Sequence, residues 1–220
     1  KFVTFSYDTE TLYEKLDEFG KMPLPPYITK QLDDQSQYQT VYAKELGSAA
    51  APTAGLHFTP EIFAALDAKG VRRVAVTLHV GPGTFRPVKA ENIEDHEMDF
   101  EAFSVPPETA DAINACKARG GRVFCVGSTS VRTLETVAAR EKAPDDPLVV
   151  GGSGASNIFI FPPYRFRVCD CMLTNFHLPQ STLLMMTSAF AGRERMLCAY
   201  ALAVRANYRF FSYGDCMLIV

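Results

Sequence analysis

Apolar residues in this chain repeat at helical spacing in some stretches and alternate in others, and the two periods take turns along much of its length. Residues 2–7 alternate as a strand, and residues 9–19 place Leu12, Leu16 and Phe19 on one face of a short amphipathic helix. Met22-Pro23-Leu24-Pro25-Pro26-Tyr27 follows as an extended connector, because proline fixes φ and removes a backbone donor. From Thr59 onward strand and helix alternate. Thr59 caps a helix, Pro60 fits its first position, Ile62, Phe63 and Leu66 face inward, and Gly70 ends it. Val74, Val76, Leu78 and Val80 then alternate as a strand, which puts His79 on the opposite face with Ala75 and Thr77. A second helix runs from Pro106 to Gly120-Gly121 and leads to a strand over Val123–Val126. A third opens at Ser128-Thr129-Ser130 and carries Val131, Leu134 and Val137.

Residues 141–156 hold Pro144, Pro147 and Gly151-Gly152-Ser153-Gly154 and read as a mobile loop, with short strands following near 157–161 and 170–174. Ser181-Thr182 opens a nearly all-apolar helix, predicted to be buried, that stops at Gly192. The next helix aligns Met196, Leu197, Tyr200, Ala201 and Val204, and a final strand pair is predicted around Gly214-Asp215. The alternation predicts an α/β fold, with a mixed, partly parallel sheet or open barrel and flanking helices.

Composition narrows the function classes. A chain of 220 residues with 47% apolar and 21% charged positions builds one sizeable core. Its net charge of −3 argues against a protein that coats nucleic acid broadly. Basic residues nonetheless cluster (Lys69, Arg72, Arg73; Lys117, Arg119, Arg122; Arg193, Arg195, Arg205, Arg209), which permits a phosphate-tracking stripe. No run approaches a membrane span of roughly 18–20 apolar residues. The six cysteines form no Cys-x-x-Cys pair and read as reduced thiols of a cytoplasmic protein. The start carries no signal-peptide pattern and no initiator methionine, so the expectation is a piece of a longer chain.

Candidate chemistry gathers at element ends. Three of the four histidines, His57, His79 and His177, lie where an apolar run meets Gly, Pro or small hydroxyl residues, the places where a side chain faces a ligand. Gly81-Pro82-Gly83-Thr84-Phe85-Arg86-Pro87 directly follows the strand of His79; its glycines serve either a tight turn or close approach of backbone to a ligand. His96 with Glu101 is either a proton-transfer pair or incidental. Gly127-Ser128-Thr129-Ser130-Val131-Arg132 is a strand-to-helix turn, suited to an anion or to simple capping. It is not a P-loop, and the chain holds no Gly-x-Ser-x-Gly elbow and no metal-binding histidine spacing, so no metal is expected.

Five long motifs then occur in order: Ala50-Ala51-Pro52-Thr53-Ala54-Gly55-Leu56-His57-Phe58, Thr77-Leu78-His79-Val80 continuing through Val88, Gly127 through Glu135, Asn175-Phe176-His177-Leu178-Pro179-Gln180-Ser181-Thr182-Leu183-Leu184, and Tyr208-Arg209-Phe210-Phe211-Ser212-Tyr213-Gly214-Asp215. From about Met22 to its end the chain closely resembles the S-adenosylmethionine:tRNA ribosyltransferase-isomerases of queuosine biosynthesis. The family carries an inserted β-barrel module that is largely absent here. Residues 1–21 are therefore expected to be the tail of that module and 22–220 the main α/β catalytic domain. Two departures stand out: Gly154-Ala155-Ser156-Asn157 where the family usually reads Gly-Trp-Thr-Asp, and Asp99 where a histidine is usual.

The resemblance implies that S-adenosylmethionine donates its ribosyl group to 7-aminomethyl-7-deazaguanine at the wobble position of a tRNA, giving epoxyqueuosine and releasing adenine and methionine. Such chemistry needs a base for the proton beside the sulfonium, a proton donor for adenine, ordered ribose hydroxyls and a base reached outside its stack. His57, His79, His177 and Glu101 are the expected catalytic residues. Thr53, Gly81, Gly83, Thr84, His96, Ser128, Thr129, Ser130, Asn175, Ser181, Thr182 and Asp215 are expected to bind substrate. Arg86 or Arg132 would hold the methionine carboxylate or an RNA phosphate, and Phe85, Phe176 and Tyr213 would stack on adenine or the target base. The expected partners are the tRNA anticodon stem-loop and S-adenosylmethionine, with no further cofactor, no membrane and a monomeric state. A non-catalytic RNA-binding remnant and a metal-dependent hydrolase are the competing readings.

Overall fold

Two three-stranded sheets meet on one enclosed helix. The computed structural model describes residues 4–20, 24–30, 32, 34–81, 83, 88, 90–140 and 146–220. Among these the first sheet is antiparallel, in the order β1 (Thr77–Leu78), β2 (Glu101–Val105), β4 (Gly152–Ser156). The second is mixed, in the order β3 (Phe124–Val126), β5 (Cys171–Asn175), β6 (Cys216–Ile219), with β3 and β5 parallel and β6 antiparallel to β5. The helices are α1 (Thr9–Phe19), α2 (Pro60–Ala68), α3 (Pro107–Ala118), α4 (Gly127–Ala139), α5 (Thr182–Ala191) and α6 (Arg193–Arg205). The fold is thus α/β with a partly parallel sheet, as the alternation predicts, and the described strands close no barrel.

The central helix is α4. Seven of its eight residues from Val131 to Ala138 are buried, which no single helical face can supply, so the helix is enclosed rather than amphipathic. Val131, Leu134 and Val137 join Leu78, Phe103, Val105, Cys125 and Met172 in one core that draws on both sheets. Enclosure obliges every polar side chain on α4 to find a partner. Thr133 and Thr136 donate back to the carbonyls of Thr129 and Arg132, and Thr136 also meets Ser156 Oγ at 2.6 Å. Glu135, fully buried, collects the amides of Arg167, Val168 and Cys169 and the Tyr164 hydroxyl, which folds the segment before β5 over the core.

Local signals set several boundaries as expected. Thr59 Oγ1 accepts from Ile62 N and Pro60 opens α2. Ser181 caps α5, and Gly192, at φ 90°, ends α5 and begins α6. Other expectations need correction. Residues 4–7 form no strand. No residue of α2 is buried and Ile62 is 42% exposed; among the described residues Phe63 alone of the three expected core residues has ring contacts, with Tyr42 and Phe58. The strand expected over 74–80 is reduced to Thr77–Leu78, although Leu78 and Val80 do point inward. Residues 152–156 are a strand rather than loop and 157–161 are not a strand, since β2 offers its ladder to the earlier segment. The buried face of α6 runs through Met196 and Ala203, with Leu197 and Val204 exposed; a helix apolar nearly all round leaves its inward face to the packing. Only Cys216–Ile219 of the expected final pair is a strand.

Candidate active site

The parallel strands β3 and β5 end side by side, and such carboxyl ends are where open α/β sheets gather their ligands. A short 3₁₀ turn over Thr53–His57 packs across them, with Ala54 against Gly127 at the end of β3. Here His57 Nε2 lies 3.0 Å from Asn175 Oδ1 at the end of β5. Asn175 is 3% exposed, and its Nδ2 donates to the carbonyls of Phe211 (3.0 Å) and Ser212 (3.1 Å) and approaches Thr53 Oγ1 at 3.3 Å. His177 follows just past the strand: its Nε2 is 2.7 Å from Thr174 Oγ1, and its main-chain N–H donates to Tyr200 Oη. Loss of solvent drives the His177 imidazole down from 6.5 to about 4, so the ring is neutral near pH 7.

A second group forms where β1 meets β2. His79 N donates to Ala102 O, and its Nδ1 is buried with no partner among the described residues. The 47–50 segment lies against it: Ser48 Oγ accepts from Val80 N, Ala49 N donates to Val80 O, and a β-carbon on Gly47 would stand 3.0 Å from His79 Nδ1. Gly47, at φ 124°, gives the imidazole its room. Glu101 Oε1 accepts the Gly81 amide, and Oε2 lies 2.7 Å from Arg132 Nη1 in a buried but off-axis ion pair. Arg132 Nε and Nη2 have no partner among the described residues, and the side chain borders a cavity of about 10 Å³, room for one water, with Met98, Phe159 and Thr182. His96 packs edge-on to Phe159 beside that cavity, whereas the Glu101 partners among the described residues are Gly81 and Arg132. The α4 helix joins the two groups, its start touching the Thr53–His57 turn and its Arg132 reaching β2.

Several predicted residues have other employment. Phe176 is buried, and among the described residues its ring packs on Tyr200, Tyr208 and Phe210. The hydroxyls at the start of α4 do not cap it; Ser130 Oγ donates back to Val126 O, and Ser128 and Thr129 remain half-buried. Ser181 is the α5 cap. Asp215 grips Arg209 through its amide and guanidinium, which holds its carboxyl below the usual range and closes the 209–215 turn. A β-carbon on Gly81 would meet none of the described residues within 4 Å, Gly83 lies against the Asp99 carboxylate, and Tyr213 exposes its ring beside Tyr38. Thr84, Phe85 and Arg86 lie outside the described residues. The basic clusters are partly neutralised by Asp67–Arg73, Lys117–Asp170 and Asp215–Arg209 pairs. Among the described residues no group of three or more His, Cys, Asp or Glu is placed to hold a metal, and no helix is long and apolar enough to cross a membrane. Sequence reading missed Gly47, Tyr200, Thr174 and the Phe211–Ser212 carbonyls; only the φ > 0 preference of glycine offered a hint, at Gly47.

An α/β domain with an imidazole–amide pair at the carboxyl end of its parallel strands has the architecture of the broad class of open α/β folds, in which ligands gather at such ends. The particular affiliation is specific: the chain belongs to the queuosine biosynthesis protein family, whose model matches residues 1–219. It is 58% identical over 204 residues to the S-adenosylmethionine:tRNA ribosyltransferase-isomerase of Natranaerobius thermophilus, covering 93% of this chain and 58% of that protein. To the protein of the same name from Moorella thermoacetica it is 54% identical over 220 residues, 100% of this chain and 63% of the relative. The crystal structure of S-adenosylmethionine tRNA ribosyltransferase from Thermotoga maritima superposes with a TM-score of 0.60 at 41% identity, covering 76% of this chain and 51% of that one. The chain spans about three-fifths of the length of the two curated relatives.

Proposed function

We propose that the protein transfers and isomerises the ribosyl moiety of S-adenosylmethionine onto 7-aminomethyl-7-deazaguanine at the wobble position of a tRNA, giving epoxyqueuosine and releasing adenine and methionine. The observation that carries this reading is identity of 54–58% to two ribosyltransferase-isomerases across nearly the whole chain. Its partners are the anticodon stem-loop and S-adenosylmethionine, with no further cofactor, and it acts as a cytoplasmic monomer.

The geometry supports a division of labour. His57 and His79 serve proton transfer at the two ends of the site. His177 is neutral near pH 7 and so orients substrate or accepts a proton; it does not deliver one as imidazolium. Arg132, fixed on one side by Glu101, has two nitrogens, Nε and Nη2, left to donate to a carboxylate, a phosphate or a ribose hydroxyl. Glu101 anchors the first amide of the Gly81–Pro87 loop, so it acts through that loop and not as a free base.

The test is adenine release from S-adenosylmethionine in the presence of acceptor tRNA. His57→Ala, His79→Ala and His177→Ala are each expected to lower the rate on the order of a hundredfold, the usual weight of general acid–base catalysis. Near wild-type rates in both His79→Ala and His177→Ala would refute their proton-transfer or orienting roles. Absence of any adenine release from the unaltered protein with acceptor present would refute the activity itself.

A further inference from the structure

An asparagine amide has one accepting end and one donating end, and its neighbours decide which faces where. Around Asn175 that decision is forced. Two main-chain carbonyls, of Phe211 and Ser212, lie 3.0 and 3.1 Å from Nδ2, and a carbonyl only accepts. Turning the amide over would set Oδ1 against two carbonyl oxygens inside a buried site. The Oδ1 atom therefore faces His57 Nε2, at 3.0 Å, and that nitrogen has to bring the hydrogen.

We propose that Asn175 is a positioning residue that holds His57 as its Nε2–H tautomer, leaving Nδ1 as the one atom of that ring with a lone pair to accept a proton. Four separate segments brace the arrangement. Ser212 is buried, and its Oγ meets Tyr27 Oη at 2.7 Å and Tyr38 Oη at 3.2 Å. Phe211 takes φ 71°, a left-handed conformation disfavoured for a residue with a β-carbon, and it is kept there by bonds to Phe176 O and from Gly214 N. That twist is what aims two successive carbonyls at one amide. Thr53 Oγ1 adds a contact from the same 3₁₀ turn that carries His57. When Nδ1 takes a proton, the C–H bonding pair stays on the substrate carbon, Nε2–H stays on Asn175 Oδ1, and the ring becomes an imidazolium.

The inference rests on the proposed role of His57 in turnover, and its test separates the two. In the full chain labelled with ¹⁵N-histidine, the His57 signals are assigned by their loss in His57→Gln. A protonated Nε2 and unprotonated Nδ1 in the unaltered protein are expected, and Asn175→Ala is expected to give a mixture of tautomers. A protonated Nδ1 in the neutral unaltered protein overturns the inference, as does an unchanged tautomer in folded Asn175→Ala. The first reading needs no substitution and stands even if Asn175→Ala fails to fold. Turnover supplies the second arm: histidine methylated on Nδ1 at position 57 has no Nδ1 lone pair, and its neutral ring turns an unprotonated Nε2 toward Asn175. Adenine release should then fall on the order of a hundredfold, mainly in kcat. Release near the unaltered rate overturns Nδ1 as the acceptor, and a wild-type rate in His57→Gln overturns the role of His57 while leaving the tautomer result standing.

Discussion

His57 and His177 stand at the end of the same strand in different surroundings. His57 is half-buried beside an amide, whereas His177 is pushed down by desolvation to about 4. The unfolded chain titrates this histidine near 6.5. Between those values the unfolded state holds a proton the folded state lacks, so stability rises with pH across that window. The contribution is complete above about 6.5 and is lost as pH falls toward about 4. At ~1.4 kcal/mol per pH unit the span is worth roughly 3 kcal/mol as an upper figure, since the ring retains some solvent contact. Urea melts between pH 4.5 and 7.5 should show this slope in the unaltered protein and a flatter one in His177→Gln. Equal slopes would place the acid sensitivity elsewhere.

Among the elements, the α5–α6 junction turns on a single residue. Gly192 at φ 90°, ψ 133° accepts Met196 N as the start of α6 and donates to Ser188 O as the end of α5. A β-carbon there would meet none of the described residues within 4 Å, so Gly192→Ala isolates the backbone conformation from packing. Its expected cost is of the order of 1–3 kcal/mol, read as a lowered urea midpoint with an unchanged slope. The β4 strand shows the opposite balance. Gly152-Ser153-Gly154-Ala155-Ser156 has no strand propensity to speak of, yet pairs with β2 along its whole length. A β-carbon at Gly154 would stand 3.1 Å from the Phe103 ring, so the glycine that argued for a loop is what lets the strand close on the core.

At the scale of the molecule, α4 packs against both sheets, and among the described residues the Arg132–Glu101 pair, beside Thr136–Ser156, is a polar link between helix and first sheet. Its two side chains are 8% and 5% exposed, so removing one partner leaves the other charged in a poorly solvated site. Arg132→Met and Glu101→Leu should each cost about 3–5 kcal/mol, and the double variant should cost clearly less than their sum. A strictly additive double-mutant cycle by urea denaturation would show that the pair is not coupled. What the sequence determined by itself was local: the Thr59–Pro60 and Ser181 starts, the Gly192 break and the motif residues that define the family, all set by cap chemistry and backbone sterics within a few positions. The tertiary structure decided which face of α6 turns inward, that a glycine-rich run becomes β4, that Arg132 answers Glu101, and which way the Asn175 amide points. Those outcomes depend on partners brought together from distant parts of the chain, where burial removes water and makes each unpaired polar atom costly.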